Sequence, residues 1–126
     1  MALERSWLPA GVYHYGRERH ELSRIVEGAS RAVWRDLVPS MDLVEGGALL
    51  WILVGDTLRT SAKYGDRGGR FLLLEAGHLM QNLCLLAWSL GLSTVPLGGA
   101  LEPDIARHLA LPASDAVLYQ ALCGKI

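Results

Sequence analysis

A lysine and a tyrosine stand side by side at the start of a charged segment, and their types make them the first candidates for chemistry. Lys63 and Tyr64 open residues 63–70, whose sequence is KYGDRGGR. The pKa values of both side chains would respond strongly to burial and to nearby cations, so either could move a proton. The alternative is a solvated charged loop, because lysine and arginine in loops are usually exposed.

A pair of glycines after a proline is the second candidate. The sequence VPLGG places Gly98 and Gly99 directly after Pro96 and Leu97. Because glycine has no Cβ, two adjacent glycines let the backbone come very close to another molecule. A flat cofactor ring is one candidate for that molecule, and an ordinary loop between a strand and a helix is the alternative.

Metal-ligating residue types are present but poorly grouped. Glu75 and His78 form a Glu-x-x-His pair, which can hold a di-metal centre in helix bundles. Such a centre needs a second pair and two further glutamates on facing helices, which the sequence does not offer. Cys84 and Cys123 are too few, and too apolar in setting, for a zinc site or a disulfide framework. We therefore predict no metal site and two core thiols.

A long apolar segment, residues 69–90, lies between the two candidate sites. Almost every residue in it is apolar or small, which is typical of a helix buried on nearly all sides. At about 100° per residue its polar side chains share an arc of roughly 120°. This polar stripe consists of Glu75, His78, Gln81, Asn82 and Ser89. It indicates either buried groups that satisfy one another or contact with a partner helix, and the helix belongs at the centre of a domain or of a dimer.

The segments around this helix predict an α+β fold. We predict a hairpin (11–15 and 21–26), a helix (29–37), strands at 48–54, 92–95 and 116–123, and a helix at 103–111. The continuous apolar run at 48–54 predicts a strand in the middle of the sheet. Residues 57–62 lead to the charged segment as a loop or a short helical turn. Gly91 follows the long helix and can close its last turn in the left-handed conformation, and His14 and His20 are expected on the surface.

Composition sets the outer limits of function. At 126 residues, of which 51% are hydrophobic, the chain is long enough to bury a core, and we predict a single domain over 1–126. A formal net charge of −1 gives no indication of nucleic acid or of an anionic membrane. The apolar run is broken by polar residues and the first residues lack a signal-peptide core, so we expect a soluble, cytoplasmic protein.

Three segments, taken in order, resemble one family. KYGDRGGRF, LLLEAGHLMQNLCLLAWSLGL and VPLGG resemble the azoline dehydrogenase branch (SagB/McbC-type) of the nitroreductase superfamily, flavin enzymes that oxidise thiazoline and oxazoline rings in peptides. The resemblance extends back to LPAGVYHYGRERHELSRIVEG and forward to Gly124 and Lys125. It therefore covers nearly the whole chain.

The resemblance implies a fold, a cofactor and a set of site residues. The expected fold is a nitroreductase-like α+β flavoprotein, mainly antiparallel sheet around a long buried helix, and usually a homodimer with FMN at the interface. Lys63 and Tyr64 match the family's adjacent lysine and tyrosine, to which catalysis is assigned. The loop that lies along the flavin in the family maps to Pro96, Leu97, Gly98 and Gly99. Lys125, at the end of the final strand, is a further candidate cofactor-binding residue.

The departure from the family pattern concerns the phosphate of FMN. Relatives are longer and begin with an arginine-rich helix whose cations hold that phosphate, whereas only Arg5 and Ser6 stand near the start of this sequence. We therefore expect the chain to correspond to the C-terminal part of such an enzyme. Because phosphate needs cations or a helix N-terminus, FMN binding by the chain alone should be weak unless another chain supplies them. Lys125 alone acts as a point charge rather than a cradle.

The predicted function is FMN-dependent oxidation of peptide thiazolines or oxazolines to thiazoles or oxazoles. The ring loses two electrons and two protons, so the flavin accepts a hydride while Lys63 or Tyr64 takes a proton or orients the base. The expected partners are a second copy or a second chain, a heterocyclised peptide and a cyclodehydratase. The alternative is a non-catalytic half-domain that dimerises through the long helix as a scaffold subunit without flavin. General NAD(P)H-dependent nitroreduction has no separate support in these residues.

Overall fold

A computed structural model describes residues 8–43 and 46–125 of the chain, so Arg5 and Ser6 lie outside the described residues. Within this part the elements in order are β1 (Gly11–Gly16), β2 (Glu21–Glu27), α1 (Arg31–Leu37), a 3₁₀ helix (Pro39–Leu43), β3 (Leu49–Asp56), α2 (Thr57–Tyr64), a second 3₁₀ helix (Gly65–Arg67), α3 (Gly68–Ser89), β4 (Leu92–Leu97), α4 (Glu102–His108) and β5 (Asp115–Lys125). Every predicted helix and strand is present, which confirms the α+β fold class.

Three strands form the main sheet, which is antiparallel and has the order β3-β5-β4. Leu122 of β5 is the register partner of Leu50 on one side and of Val95 on the other. The prediction that β3 lies in the middle of the sheet is therefore wrong for the described residues, in which β5 is central and β3 lies at an edge. An apolar run indicates burial on both faces but does not indicate which strand has two neighbours.

The hydrophobic core lies against one face of this sheet, under α1 and α4. Its members are Val12, Trp34, Val38, Met41, Leu50, Leu97, Ile105, Val117 and Leu122. Trp34 and Ile105 join α1 to α4 and are almost completely buried, and the ring of His108 meets the Trp34 ring edge-on at 5.3 Å. All three strands of the sheet contribute to this core, so it fixes the position of β4 and of the loop that follows.

The predicted hairpin is confirmed as a separate two-stranded sheet of β1 and β2. Its register ends at the pair Gly16 and Glu21, and the turn between them is held by a 2.7 Å hydrogen bond between the Tyr15 hydroxyl and Nδ1 of His20. His14 and His20 are both exposed, as predicted. Almost all of β2 is exposed, so the hairpin contributes mainly Val12 to the core.

Helix α3 has the predicted extent, and Gly91 just beyond it is left-handed with φ of 70°. The prediction that this helix is buried on nearly all sides is wrong for the described chain. Its buried side chains, Leu72, Ala76, Met80 and Ala87, form one narrow stripe that packs on β4 and β5. The remaining apolar side chains are exposed and form what we call the α3 surface: Leu73, Leu74, Leu79, Leu85, Leu86, Trp88 and Leu90. Among the described elements, the three-stranded sheet packs on one side of this 22-residue helix and is too small to cover it all round.

The helical stretch from Thr57 to Ser89 is long and apolar enough to cross a membrane if only length and composition are considered. A core helix of a soluble protein meets the same test, so this finding is weak evidence for a membrane. The stretch is also not one straight helix, because α2 ends at Gly65, which has φ of 58°. α2 then packs against α3, and a Cβ at Gly68 would lie 3.1 Å from the Cα of Ser61.

Candidate active site

Lys63 and Tyr64 lie in the last turn of α2 and not in a loop. The helix begins where the carboxylate of Asp56, at the end of β3, accepts a 2.9 Å hydrogen bond from the backbone N–H of Arg59. The prediction of a charged loop over residues 63–70 is therefore wrong, since only the 3₁₀ turn Gly65–Arg67 separates α2 from α3. The charged side chains of this segment lie at the end of α2 and at the start of α3, so the two helices set their positions.

The Tyr64 ring is held between the two helices. It meets the ring of Phe71, in the first turns of α3, in an edge-on contact with 4.9 Å between centroids. Lys63 Nζ lies 4.9 Å from the centroid of the Tyr64 ring, within the distance of a cation–π contact. The pair is thus fixed from the α3 side and open to solvent on the other, with 37% of Tyr64 exposed.

The environment of Lys63 favours its charged form. A side-chain hydrogen bond with Tyr64, followed by charge interactions with Tyr64 and Glu75, raises the pKa of Lys63 above its ordinary value of 10.5. In the chain as described, Lys63 is therefore an ammonium ion at neutral pH. An ammonium ion cannot accept a proton, so in this geometry Lys63 is a positive charge beside the Tyr64 ring.

The polar stripe of α3 is on the surface of the described chain. Glu75, His78, Gln81, Asn82 and Ser89 are all exposed. The hypothesis that these groups are buried and satisfy one another is therefore wrong here, and a partner helix remains the open alternative. Glu75 follows Phe71 by one helical turn and so lies on the side of α3 that faces Tyr64. Within residues 8–43 and 46–125, no group of three or more potential ligands could hold a metal ion.

The four residues of the predicted flavin loop have different surroundings. Leu97 is 4% exposed and belongs to the core, while Pro96, Gly98 and Gly99 are exposed. The carbonyl of Gly99 accepts a 2.7 Å hydrogen bond from the Ser40 hydroxyl, which ties the loop to the first 3₁₀ helix. A Cβ built on Gly98 would meet no atom of the chain within 4 Å. Packing within the chain therefore does not demand glycine at 98, and the open backbone is free to contact another molecule.

A cavity of about 270 Å³ opens beside this loop. Its walls come from α3, from the β4–α4 connection and from β5: Leu73, Ala76, Gly77, Leu97, Gly98, Glu102, Leu118, Tyr119 and Gln120. Small residues of α3 leave the space, since Ala76 is buried and a Cβ on Gly77 would meet nothing within 4 Å. The walls are mostly apolar with a few polar groups, which is the usual composition of a site for a small molecule or cofactor ring.

Gln120, a buried polar residue that lines this cavity, was not among the predicted site residues. Gln120 is 2% exposed, and its Nε2 has no hydrogen-bond partner among the described residues. A signal existed, because Gln120 interrupts the otherwise apolar strand sequence AVLYQALC. Polar groups in such positions normally have partners. The register partners of Gln120, Leu97 and Ile52, place its side chain on the core face of β5.

The remaining predicted site residues do not line the cavity. Lys63 and Tyr64 are absent from its walls. Lys125 is exposed and pairs in register with Leu92, whereas Gln120 pairs with Leu97. Lys125 is five residue steps from Gln120 along the strand, which is about 17 Å. The structure thus brings Leu97 and Gly98 to the cavity and leaves Lys125 at the far end of β5.

The cavity fits one part of FMN better than the other. The open backbone at Gly98 and the apolar walls suit a planar heterocyclic ring. The phosphate finds no comparable partner, because the described lining contains the carboxylate of Glu102 and no lysine or arginine. The residues present therefore fit the ring of the cofactor and do not supply the charge that its phosphate needs.

Comparison with known proteins agrees with this architecture. The nitroreductase family model matches residues 35–125. A protein of Methanocaldococcus jannaschii named as a nitroreductase is 34% identical over 101 residues, which are 80% of this chain and 51% of that protein. The chain thus spans about half the length of this relative.

Three solved structures are similar to the chain. A protein from Anabaena variabilis named as a nitroreductase has a TM-score of 0.85 and 32% identity, over 94% of this chain and 24% of that chain. The E. coli microcin synthetase McbBCD complex, with truncated pro-MccB17 bound, gives 0.82 and 24% identity over 98% and 47% of the two chains, which shows the fold alone. The NADPH:FMN oxidoreductase from Vibrio harveyi, complexed with NAD+, gives 0.62 and 25% identity over 75% and 45%.

The family match extends from α1 to the end of β5 and so includes every wall of the cavity. The same elements, in the same order, superpose on a solved structure at 32% identity. On this evidence the chain belongs to the nitroreductase family.

Proposed function

We propose that this chain is part of an FMN-dependent oxidoreductase that oxidises thiazoline or oxazoline rings in peptides. The flavin part of this proposal is supported by the cavity at Gly98, whose open backbone and mostly apolar walls suit a planar ring. The azoline substrate rests on the resemblance of the Lys63 to Ala100 region to azoline dehydrogenases. A similar protein, the Vibrio harveyi enzyme, is an NADPH:FMN oxidoreductase by name, which supports FMN over other cofactors.

Each residue has a role of its own in this proposal. Bound FMN would supply the acceptor for two electrons. Leu97 and Gly98 would form the wall against its ring, and Gly99, tied to Ser40, would keep that loop in place. Tyr64 would move or relay the proton of the substrate, and Lys63, as a cation, would orient the Tyr64 hydroxyl.

The active unit would contain more than one chain. The α3 surface exposes seven large apolar side chains, with Trp88 70% and Leu90 75% exposed. Soluble proteins rarely leave an apolar patch of this kind uncovered. We therefore propose that a second copy, or a different chain with a matching apolar helix, packs on the α3 surface, and that this assembly supplies the cations for the phosphate. Its location would be the cytoplasm, and a heterocyclised peptide and a cyclodehydratase would be its further partners.

A second candidate function is supported by one observation, the lack of a lysine or arginine in the described cavity lining. A chain of this kind could act as a scaffold subunit that packs through the α3 surface and binds no flavin. The two functions differ in what happens at the cavity, since a scaffold subunit has no need of the open backbone at Gly98.

Flavin binding by the purified chain separates these functions. We expect the chain alone to carry FMN well below one per chain, measured by visible absorbance after gel filtration. Because the ring is the part that fits, riboflavin and FMN should bind with similar affinity in a fluorescence titration. Addition of a partner that carries an arginine-rich helix should then raise the affinity for FMN and not for riboflavin. Absence of binding by both flavins, with and without the partner, would favour the scaffold function, and stoichiometric FMN in the isolated chain would contradict the proposed lack of a phosphate site.

A further inference from the structure

The central strand β5 has a β-bulge at the wall of the cavity. Leu53 of β3 pairs with Tyr119 and the next residue, Val54, pairs with Val117, so Leu118 is an extra residue on β5. A bulge changes the direction of the side chains on its strand, and bulges are over-represented next to active sites. This bulge allows two consecutive side chains of β5 to lie on one face of the sheet.

Helix α3 packs on the face of the sheet opposite to the core. Gly55 and Leu50 are an odd number of residues apart along β3, so they face opposite sides. Leu50 belongs to the core. A Cβ on Gly55 would lie 3.0 Å from Cδ2 of Leu72, on α3, and 2.7 Å from Cδ1 of Leu118. The side chains of Leu72 and Leu118 therefore both lie on the face that carries α3.

Tyr119 lies on the same face as α3. It is an odd number of residues from Leu122, which belongs to the core, and the register between these two residues is regular. Successive side chains of a strand alternate between the faces, so the side chain of Tyr119 is directed towards α3. Tyr119 also lines the cavity, together with Leu73 and Gly77 of α3. The register and the cavity wall thus agree on the side of β5 at which this side chain lies.

The hydroxyl of Tyr119 has no hydrogen-bond partner within residues 8–43 and 46–125. Each of the three other tyrosines does have one, namely Tyr13, Tyr15 and Tyr64. Tyr119 is half-buried, and its hydroxyl is not among the described polar atoms that are sealed from solvent without a partner, which are Thr94 Oγ1 and Gln120 Nε2. A molecule in the cavity can therefore reach the Tyr119 hydroxyl.

The cavity restricts the class of molecule that this hydroxyl could bind. A volume of about 270 Å³ is near the lower limit of sites for small molecules, so it suits a ring system rather than a whole nucleotide. The walls are mostly apolar, and the carboxylate of Glu102 accepts hydrogen bonds. The phenol of Tyr119 can donate one, which favours an acceptor atom at the edge of the ring. A heteroaromatic ring that carries a carbonyl group has these properties.

We propose that the Tyr119 hydroxyl donates a hydrogen bond to an acceptor atom at the edge of the flavin ring, which makes Tyr119 a further cofactor-binding residue. This inference rests on the proposed function. A hydrogen bond is stronger when its acceptor carries negative charge, and the acceptor atoms of the ring gain negative charge when the flavin is reduced. The hydrogen bond should therefore raise the reduction potential of the bound flavin as well as hold the ring.

The test uses Tyr119→Phe, which keeps the aromatic ring and removes only the hydroxyl. Riboflavin is the probe, because it has the flavin ring without the phosphate. We expect Tyr119→Phe to weaken riboflavin binding about two- to tenfold in a fluorescence titration, which corresponds to one hydrogen bond. The reduction potential of the flavin that remains bound should be lower than in the wild type.

Two controls separate binding from folding. The thermal midpoint of flavin-free Tyr119→Phe should equal that of the flavin-free wild type, because the hydroxyl has no partner in the described part of the chain. Tyr15→Phe is the matched control, since it removes a hydroxyl that bonds to His20 in the hairpin. It should leave riboflavin affinity and the reduction potential unchanged.

The outcomes separate this inference from the proposed function. Wild-type affinity and potential in Tyr119→Phe would overturn the role of Tyr119 while the proposed function stands. A parallel loss of stability and of binding in Tyr119→Phe would assign a merely structural role to the hydroxyl and would also overturn the inference. If the wild-type chain binds neither riboflavin nor FMN, alone or with a partner, both the proposed function and this inference fail.

Discussion

The core under α1 and α4 and the α3 surface are built from the same kinds of side chain, yet only the core is closed within the chain. Trp34 and Ile105 are almost fully buried by the sheet and by each other's helices, whereas Trp88 and Leu86 are mostly exposed. Both helical regions have apolar side chains at helical spacing. The difference lies in the neighbouring elements, since α3 packs on β4 and β5 along one side and meets α2 at its start, which leaves the side chains of the α3 surface exposed. Apolar periodicity thus predicts which face of a helix must be buried, and it does not indicate whether the same chain or another chain buries that face.

The largest expected effect is in the closed core. Trp34→Ala should lower the free energy of unfolding by about 3–5 kcal/mol, because it leaves a large cavity between α1 and α4. Chemical denaturation followed by circular dichroism measures this change. The matched control is Trp88→Ala on the α3 surface, which removes the same side chain and should change the stability of the isolated chain by less than about 0.5 kcal/mol. Equal losses for the two tryptophans would show that the α3 surface is already covered within one chain.

The next effect is at the junction of α2 and α3. In a flavin-bound assembly, Tyr64→Phe and Lys63→Ala should each slow azoline oxidation about 100-fold and leave flavin content largely unchanged. Lys63→Arg should keep most of the rate, because it keeps the charge beside Tyr64. Anaerobic single-turnover bleaching of the flavin absorbance reports the rate. Wild-type rates in both Tyr64→Phe and Lys63→Ala would show that the pair has no part in the chemistry.

A smaller effect is expected at the α3 surface itself. Trp88→Ala should raise the dissociation constant of the assembly by about 10-fold to 100-fold, because large aromatic side chains dominate interface energies. Light scattering across a concentration series measures this shift. Tyr15→Ala, which removes a half-exposed aromatic ring from the hairpin, serves as the control and should leave association unchanged. A monomeric wild-type chain at micromolar concentration, with and without candidate partners, would contradict the proposed interface.

The smallest effect is the one expected from pH. The pKa of Lys63 is raised by its contact with Tyr64, so the protonated form is favoured. Its charge is fully present below the ordinary value of 10.5 and is lost only when the pH rises beyond it. The rate of flavin reduction should therefore show no dependence on Lys63 between pH 7 and pH 9, and the profiles of the wild type and of Lys63→Arg should be parallel. A rise through this range in the wild type alone would identify Lys63 as a free-amine base.

Local patterns in the sequence predicted the elements well and predicted their neighbours poorly. The glycine and proline residues that flank each apolar run gave the positions of β3, β4 and α3, because turn chemistry is local. The central place went to β5 and not to β3, because strand order depends on pairing between distant residues, here Leu50 with Leu122. The exposure of Trp88 had the same cause, since burial on a second side depends on elements that a helical pattern does not specify.

The family resemblance assigned Pro96, Leu97, Gly98 and Gly99 to a loop along the flavin. Leu97 and Gly98 line a cavity, and their role toward a cofactor stays a prediction. The helical setting of Lys63 and Tyr64 was missed, since the glycines of residues 65–69 suggested a loop, whereas Gly68 and Gly69 begin a helix. Gln120 was missed because a single polar residue in a strand has no periodicity of its own, and its meaning depends on the burial that only the fold provides.

Gly65 has a consequence for the overall dimensions of the molecule. Without a break, the 33 residues from Thr57 to Ser89 would form a rod about 50 Å long, with Tyr64 and Phe71 two turns apart, about 10 Å along its axis. The positive φ of Gly65 instead turns α2 back against α3, so that the ring of Tyr64, at the end of α2, meets the ring of Phe71, in the first turns of α3. A substitution with a Cβ at Gly65 would disfavour its positive φ and would favour a continuous helix. The turn between α2 and α3 would then be lost, together with the contact between Tyr64 and Phe71.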